Sequence, residues 1–108
     1  MCGIFGEFGE QILDKELFLK LNSLSFRRGP DMSGYWTDQK LCQLGFNRLA
    51  ILDTSERGNQ PMISFDKRWV MVLNGEVYNF SQISNVLGKT KTDFISGSDA
   101  EVVLNAFM

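Results

Sequence analysis

Histidine is absent from the sequence. These 108 residues can therefore hold neither a Ser-His-Asp nor a Cys-His catalytic arrangement, and they lack the commonest protein ligand of zinc. Cysteine is scarce as well, because Cys2 and Cys42 are the only two, and their spacing fits neither a zinc site nor a Cys-x-x-Cys redox motif. So few cysteines indicate a reducing compartment and no disulfide framework.

The chain also lacks an excess of positive charge and any long apolar run. The formal net charge is −2, and the basic residues are scattered, since the pair Arg27 and Arg28 is too short to form a patch for nucleic acid. No apolar stretch reaches transmembrane length, and the N-terminus lacks the pattern of a signal peptide. A P-loop, a GxGxxG motif and a metal-binding motif are missing too. We therefore expect a cytoplasmic protein with no nucleic-acid or membrane partner, and no metal or cofactor within these residues.

Hydrophobic residues make up 44% of the chain, which is enough for one domain or part of a larger one. The continuous apolar run 69–73 is typical of a strand covered on both faces, whereas the polar segment 54–61 is typical of a surface loop. Strand segments outnumber helices, which predicts an α+β fold of mainly antiparallel sheets with helices packed on them. The predicted extended segments are residues 2–8, 34–37, 41–47, 49–53 and 69–73.

Three helices are expected. Asp14 caps the first, whose apolar stripe ends before a Gly-Pro pair. The second covers residues 80–87 and stops at Gly88. The third begins at Ser98, whose spacing to Glu101 has the form of a capping box. No stop signal follows it, which suggests that the chain is a fragment of a longer protein.

Cys2 is the first candidate for chemistry. Removal of Met1 would leave Cys2 with both a thiol and a free α-amine. An α-amine ordinarily has a pKa of about 7.7–8.0, so a large share of it is neutral near physiological pH and can accept a proton. One residue would then supply nucleophile and base, as an N-terminal threonine does. The alternative is that Cys2 is merely a small residue after the start codon.

Acyl transfer also needs hydrogen-bond donors for a developing oxyanion. Asn74 and Gly75 end an apolar segment with a side-chain amide followed by a sterically open backbone N–H. Such a donor is worth on the order of 10²–10³ in rate. The alternative is a plain hairpin turn, which Asn-Gly favours.

An amino-acid substrate needs a cation for its carboxylate and an anion for its ammonium group. Arg48 can offer a bidentate fork, and Asp99 can offer a carboxylate. The alternatives are a surface salt bridge for Arg48 and a first-turn acid stabilised by the helix dipole for Asp99. Glu76 either lines the same pocket or is a solvated turn residue. Cys42 is expected to be a small core residue.

Six short motifs stand out along the chain. They are Met1-Cys2-Gly3-Ile4-Phe5-Gly6, Arg28-Gly29-Pro30-Asp31, Arg48-Leu49-Ala50-Ile51-Leu52-Asp53, Gln60-Pro61-Met62, Leu73-Asn74-Gly75-Glu76-Val77-Tyr78-Asn79 and Ser98-Asp99-Ala100-Glu101. Their order resembles that in class II glutamine amidotransferases, the type with an N-terminal nucleophile, and the chain most resembles the amino-terminal glutaminase domain of glutamine-hydrolysing asparagine synthetases. Related branches usually follow the equivalent of Arg48 with an aromatic residue and a Ser/Thr-containing segment, a pattern that is absent here.

The resemblance implies a role for each candidate residue. Cys2 would be the nucleophile that forms a glutamyl thioester and releases ammonia, and Asn74 with the Gly75 backbone would form the oxyanion hole. Arg48 would hold the carboxylate of glutamine, and Asp99 its amine. The implied glutamine-binding residues are Arg48, Asn74, Gly75, Glu76 and Asp99, together with a strand formed by Leu49, Ala50, Ile51 and Leu52 that lines the site mainly through its backbone.

The resemblance also implies a fold and partners. The fold is the Ntn-hydrolase four-layer α/β/β/α sandwich of antiparallel sheets, of which residues 1–108 would form the first part, with segment 54–62 closing over bound glutamine. In this family a C-terminal synthetase domain binds ATP and Mg²⁺, activates aspartate and receives ammonia through a channel. The expected partners are therefore L-glutamine and that domain of the same chain, and a homodimer is also considered.

The chain departs from the family pattern in two ways. Arg27 stands where the family usually has histidine, and the family's glutaminase domain is considerably longer than this chain. That histidine is not the base for the nucleophile, so we expect activity to survive with altered loop packing. Two other hypotheses remain open, which are an amidotransferase with a sugar or peptide carboxylate as acceptor and a non-catalytic glutamine-binding module.

Overall fold

In the computed structural model, which describes all 108 residues, the chain forms five strands and three α-helices. The strands build two antiparallel sheets, one with the order β1-β3-β2 and one that pairs β4 with β5. The predicted α+β class with antiparallel sheets is confirmed, and the four-layer sandwich stays a prediction. The elements are β1 (Gly3–Phe8), α1 (Lys15–Asn22), β2 (Met32–Thr37), β3 (Cys42–Arg48), β4 (Met62–Ile63), β5 (Val70–Met71), α2 (Phe80–Val86) and α3 (Asp99–Ala106), with short 3-10 helices at Ser23–Arg28, Glu56–Gly58 and Lys91–Asp93.

The three-stranded sheet brings the start of the chain next to the end of β3. Strand β3 is central, and both neighbours run antiparallel to it. The register pairs Gly3 with Asn47 and Met32 with Arg48. Because β1 begins where β3 ends, Cys2 lies beside the residues that follow β3.

Helix α1 packs on this sheet through Phe18, which is fully buried. The Phe18 ring lies 4.8 Å from the ring centroid of Phe5 and 5.6 Å from that of Tyr35, within the range of favourable aromatic pairs. Asp14 is the N-cap, since its carboxylate accepts the Leu17 N–H at 2.8 Å. The predicted cap is therefore confirmed, whereas the predicted apolar stripe is confirmed only in part. Leu17 is 41% exposed, and Leu24 is 80% exposed in the 3-10 helix that follows α1.

The second sheet is smaller than the sequence predicts. Only Val70–Met71 pairs as strand, and Trp69 is 43% exposed, so the prediction of a strand over 69–73 covered on both faces is wrong. The physical reason is that β5 has one neighbouring strand, β4. The core beneath it joins Met62 to Ala100 and Leu104 of α3, with Met71 and Leu73 packed against them.

Segment 49–53 is not a strand, although its apolar composition favours one. The chain leaves the sheet after Arg48. The Arg48 guanidinium donates hydrogen bonds to the main-chain carbonyls of Asp53 and Ser55, and the backbone of this segment therefore turns around the Arg48 side chain. The predicted surface loop 54–61 is likewise only partly exposed, because Gly58 and Gln60 are buried.

The two later helices begin as predicted. Helix α2 ends within one residue of the predicted position, whereas α3 ends at Ala106, an end for which the sequence gives no stop signal. Helix α2 ends before Gly88, which has a φ of 67°, a conformation that favours glycine. Ser98 caps α3 by accepting the Ala100 N–H at 3.2 Å. Glu101 does not complete a capping box, because its carboxylate instead accepts the N–H groups of Ile95 and Ser96. Cys42, expected in the core, is only half-buried.

Gly29 permits the close approach of backbones on which the site depends. An added Cβ at Gly29 would overlap the main chain of Asn47 and Arg48. We therefore expect Gly29→Ala to lower the free energy of unfolding by about 3 kcal/mol, the cost of an overpacked interior. Urea denaturation would measure it. The matched control is Gly9→Ala, where nothing lies within 4 Å of the new methyl group, and equal effects of the two substitutions would contradict the prediction.

Candidate active site

A pocket lies where the ends of β1, β3 and β5 meet the beginning of α3. It gathers nearly all of the residues that the sequence singles out, although they are up to 97 positions apart, as Cys2 and Asp99 are. Ala50 is the exception, since it does not line the pocket. Arg27, at the position of the family histidine, is exposed and also lies outside the lining. The predicted residues that line it are Cys2, Arg48, Leu49, Ile51, Leu52, Asn74, Gly75, Glu76 and Asp99. Their catalytic and binding roles remain predictions.

The thiol of Cys2 faces the first residue after β3. The Leu49 N–H donates to Sγ at 3.3 Å, and Sγ lies 3.7 Å from the Leu49 carbonyl oxygen. Cys2 is half-buried, and Met1, which also lines the pocket, is 67% exposed. A nucleophile in this position could reach a ligand in the pocket, and cleavage after Met1 would uncover the α-amine at the same place.

The Arg28-Gly29-Pro30-Asp31 motif holds the two segments that carry Cys2 and Arg48. Arg28 Nε donates to the Cys2 carbonyl at 3.1 Å. The Asp31 N–H donates to the Arg48 carbonyl at 3.0 Å, and its carboxylate accepts the Ala50 N–H at 2.9 Å. The sequence identifies this motif but not these contacts, which explain why the loop after β3 stays close to the nucleophile.

Arg48 is 5% exposed, so the alternative of a surface salt bridge is wrong. Its guanidinium donates to the carbonyls of Ser55, at 2.6 Å, and Asp53. Nη1 also donates to Sδ of Met32 at 3.6 Å. A guanidinium has five N–H donors, so these three bonds leave two for a ligand carboxylate. The main-chain contacts fix the orientation of the guanidinium. As a result, the Arg48 side chain loses less conformational entropy when it binds an anion.

Asp99 joins α3 to the segment that follows Asn74 and Gly75. It is 8% exposed, and its carboxylate accepts the Val77 N–H at 2.7 Å and the Ala100 N–H at 3.0 Å. Asp99 is also the first residue of α3, where the helix dipole stabilises an anion. The two interpretations of Asp99, a ligand contact and a first-turn acid, are thus compatible in one position.

Asn74, Gly75 and Glu76 line the pocket without protein partners. The Asn74 side chain and the Gly75 N–H form no hydrogen bond within the chain, and the exposed Glu76 carboxylate forms none either. Two donors and one acceptor therefore remain available to a ligand. The Asn-Gly pair is not the turn of a β-hairpin, since the segment after it enters α2 rather than a strand.

Asp53, the last residue of the motif that begins at Arg48, lines the pocket, although the sequence assigns it no role of its own. Its carboxylate accepts the N–H groups of Ser55 and Gly97, both at 2.8 Å, and thereby joins the loop after β3 to the segment before Ser98. Hydrogen bonding lowers the pKa of Asp53 to about 2, first from the Ser55 side chain and then from the Gly97 and Ser55 N–H groups, with a smaller contribution from the charge of Arg48. Asp53 is therefore ionised at neutral pH, and this connection is intact there.

No group of three or more His, Cys, Asp or Glu side chains in the chain is placed to hold a metal ion. None of the helices has the length and apolar character needed to cross a membrane.

The fold and this pocket agree with the family that sequence comparison identifies. The chain belongs to the family of glutamine amidotransferase domains, whose profile matches residues 1–108. Among its curated relatives, asparagine synthetase [glutamine-hydrolyzing] 1 of Bacillus subtilis (strain 168) is 35% identical over 112 residues, which are 99% of this chain and 17% of the relative. Asparagine synthetase B of Escherichia coli (strain K12) is 37% identical over 107 residues, 96% of this chain and 19% of the relative.

The plant relative from Zea mays, also a glutamine-hydrolyzing asparagine synthetase, is 35% identical over 111 residues, 99% of this chain and 18% of the relative. The resemblance drawn from the six motifs is therefore confirmed. The chain spans less than a fifth of the length of these relatives.

Proposed function

We propose that the protein containing this chain hydrolyses glutamine at the pocket and delivers the ammonia to an acceptor, as a glutamine-dependent asparagine synthetase does. The observation that carries the proposal is the convergence of the Cys2 thiol, two unpartnered hydrogen-bond donors, Arg48 and Asp99 on one pocket. These groups match the reactive amide, the carboxylate and the ammonium group of a free amino acid.

Binding comes first in the proposed mechanism. The guanidinium of Arg48 takes the α-carboxylate of glutamine, and the carboxylates of Asp99 and Glu76 take its ammonium group. This orientation places the side-chain amide of glutamine over Cys2. The N–H groups of the Asn74 side chain and of Gly75 line the same pocket without protein partners, and in this proposal they donate to the amide oxygen of glutamine.

The chemistry requires one nucleophile and one base. Once Met1 is removed, the α-amine of Cys2 accepts the thiol proton, and Sγ forms a bond to the amide carbon of glutamine. The negative charge passes to the amide oxygen, where Asn74 and Gly75 stabilise it. The C–N bond then breaks, ammonia leaves with the proton from the amine, and water hydrolyses the thioester to glutamate and restores the thiol.

The acceptor of the ammonia is proposed from the relatives, which are named glutamine-hydrolyzing asparagine synthetases. Aspartate would be amidated with ATP and Mg²⁺ in a synthetase domain of the same polypeptide. The 108 residues offer neither a metal-ligand cluster nor a phosphate-binding glycine loop, so no step above passes through those groups. A cytoplasmic location belongs to the same proposal, and a homodimer stays a prediction.

The test uses the full-length protein and the glutamine-mimicking electrophile diazo-oxo-norleucine. We expect mass spectrometry to show one label, on an N-terminal peptide that begins with Cys2. Cys42 should stay unlabelled, because burial and the nearby Asp38 carboxylate raise the pKa of its thiol and so reduce its thiolate fraction. Retention of Met1 together with an unlabelled Cys2 would favour the non-catalytic alternative. Asparagine formation from aspartate, compared with sugar and peptide carboxylates, would identify the acceptor.

A further inference from the structure

Gln60 is a buried polar residue in the loop that leads from β3 to β4. It is 7% exposed in a segment whose composition favours solvent. Its side-chain amide binds the backbone of Leu73 twice, since Oε1 accepts the Leu73 N–H at 2.5 Å and Nε2 donates to the Leu73 carbonyl at 3.3 Å. Leu73 directly precedes Asn74 and Gly75, so the side chain of Gln60 holds the backbone immediately before the proposed oxyanion donors.

The register of the small sheet explains why a side chain is needed there. Strands β4 and β5 pair Ile63 with Val70 and Met62 with Met71, and the ladder stops at Met71. Continued by two residues, the same register would place Gln60 opposite Leu73. Pro61 has no N–H to donate and lies between, so it cannot extend the ladder. The carboxamide of Gln60 carries the donor and acceptor of a peptide group, and it makes both bonds that a strand partner would make.

We propose that Gln60 is a positioning residue for glutamine hydrolysis. Its side chain extends the β4–β5 ladder and thereby fixes the orientation of the Asn74 amide and the Gly75 N–H. The inference rests on the proposed function and assigns its oxyanion donors a support. An oxyanion hole works because its donors are already oriented before the charge develops. A mobile Leu73 would let those donors turn to water and lose that advantage.

The backbone of Gln60 is itself held in place. Gly34 of β2 packs directly on the Gln60 carbonyl, so closely that a side chain at Gly34 would overlap it. The Asn59 side chain also donates to the Ser33 carbonyl at 2.9 Å, which ties the residue before Gln60 to β2. The three-stranded sheet therefore holds Gln60 in place. The two side-chain bonds from Gln60 to Leu73, the Gln60 clamp, in turn hold the segment that carries Asn74.

The test compares Gln60→Met and Gln60→Glu in the full-length enzyme, with Gln82→Met as the matched control. Methionine keeps the length of the side chain and removes both hydrogen bonds. Glutamate keeps the acceptor for the Leu73 N–H, but it replaces the donor to the Leu73 carbonyl by an oxygen, which repels that carbonyl. We expect kcat for glutamine hydrolysis to fall about 10- to 100-fold in each variant, somewhat less than when an oxyanion donor is itself removed. The KM for glutamine should stay within about threefold, because the donors act on the transition state. Gln82 is exposed on α2, and its substitution should change neither constant.

A double-mutant cycle with Asn74→Ala separates positioning from a general loss of structure. Because Gln60 orients both donors, adding Gln60→Met to Asn74→Ala should lower kcat by clearly less than Gln60→Met does alone, since coupled residues are not additive. The remaining loss is the effect on the Gly75 N–H. Additive losses would overturn the proposal, and so would a raised KM with unchanged kcat, which would indicate direct contact with glutamine. Rates are referred to folded protein by circular dichroism, and Gln60→Glu carries the test if Gln60→Met does not fold. A failure of the proposed function itself would be recognised separately, since the unmodified enzyme would then not hydrolyse glutamine.

Discussion

Substitution of Cys2 by alanine is expected to lower glutamine hydrolysis by more than about 10³-fold, the scale on which removal of a catalytic nucleophile acts. Neither the Asn74 amide nor the Arg48 guanidinium can replace a bond to the amide carbon. The fold should be retained, because the thiol forms hydrogen bonds only with the Leu49 backbone, at 3.3 and 3.7 Å, and alanine fills most of its volume. The Arg28 bond to the Cys2 carbonyl involves the main chain and survives the change.

The measurement is glutamate release by the full-length protein, together with its urea denaturation midpoint. Cys42→Ala is the matched control. Like Cys2, which directly precedes β1, Cys42 is half-buried. It is the first residue of β3 in the same three-stranded sheet, but it lies outside the pocket. It should retain activity within about twofold, as substitutions remote from the reacting atoms usually do. Comparable activity in the Cys2 and Cys42 variants would show that the glutamine amide is attacked by another group, and the mechanism would have to be abandoned.

The local features of the fold could be predicted from the sequence because their causes are local. The Asp14 cap depends on one carboxylate and an amide three residues later, and the stop at Gly88 depends on one backbone angle. The helical stripe containing Phe18 needs only a regular spacing and a sheet to cover it. Such features leave the same signature wherever the chain folds.

The predictions are wrong where particular side-chain and strand contacts override composition. Segment 49–52 is apolar and favours a strand, yet the Arg48 bonds to Asp53 and Ser55 bend it out of the sheet. Ile51 and Leu52 are 61% and 56% exposed as a result. The apolar run at 69–73 predicts burial on both faces, but periodicity cannot say how many neighbours a strand will have.

The candidate site divides in the same way. The chemistry of Cys2, Arg48 and Asp99 could be stated from residue types, although each had a structural alternative until the order of the motifs supplied the resemblance. What no pattern indicated is the network that orients them, such as the Asp53 bond to Gly97 and the Gln60 clamp on Leu73. These polar residues resemble solvated loop residues in the sequence, because only folding brings their partners within reach.

Asn74→Ala is expected to lower kcat for glutamine hydrolysis by about 10²–10³, the loss that follows removal of one oxyanion donor. The KM for glutamine should change little, because a donor aimed at a developing charge contributes mainly in the transition state. Stability should be unaffected, since the half-buried Asn74 side chain forms no hydrogen bond within the protein. Steady-state kinetics on the full-length enzyme would measure both constants.

Asn79→Ala is the matched control, since Asn79 caps α2 without a side-chain hydrogen bond and is exposed outside the pocket. Its kcat should remain within about twofold of the unmodified enzyme. Asn74→Asp, which keeps the size but exchanges the donor for an anion, should be at least as impaired as Asn74→Ala, because a negative charge there opposes the oxyanion. A large rise in KM with unchanged kcat would instead assign Asn74 to ground-state binding. The oxyanion would then depend on the Gly75 N–H alone, a backbone group that side-chain substitution cannot remove.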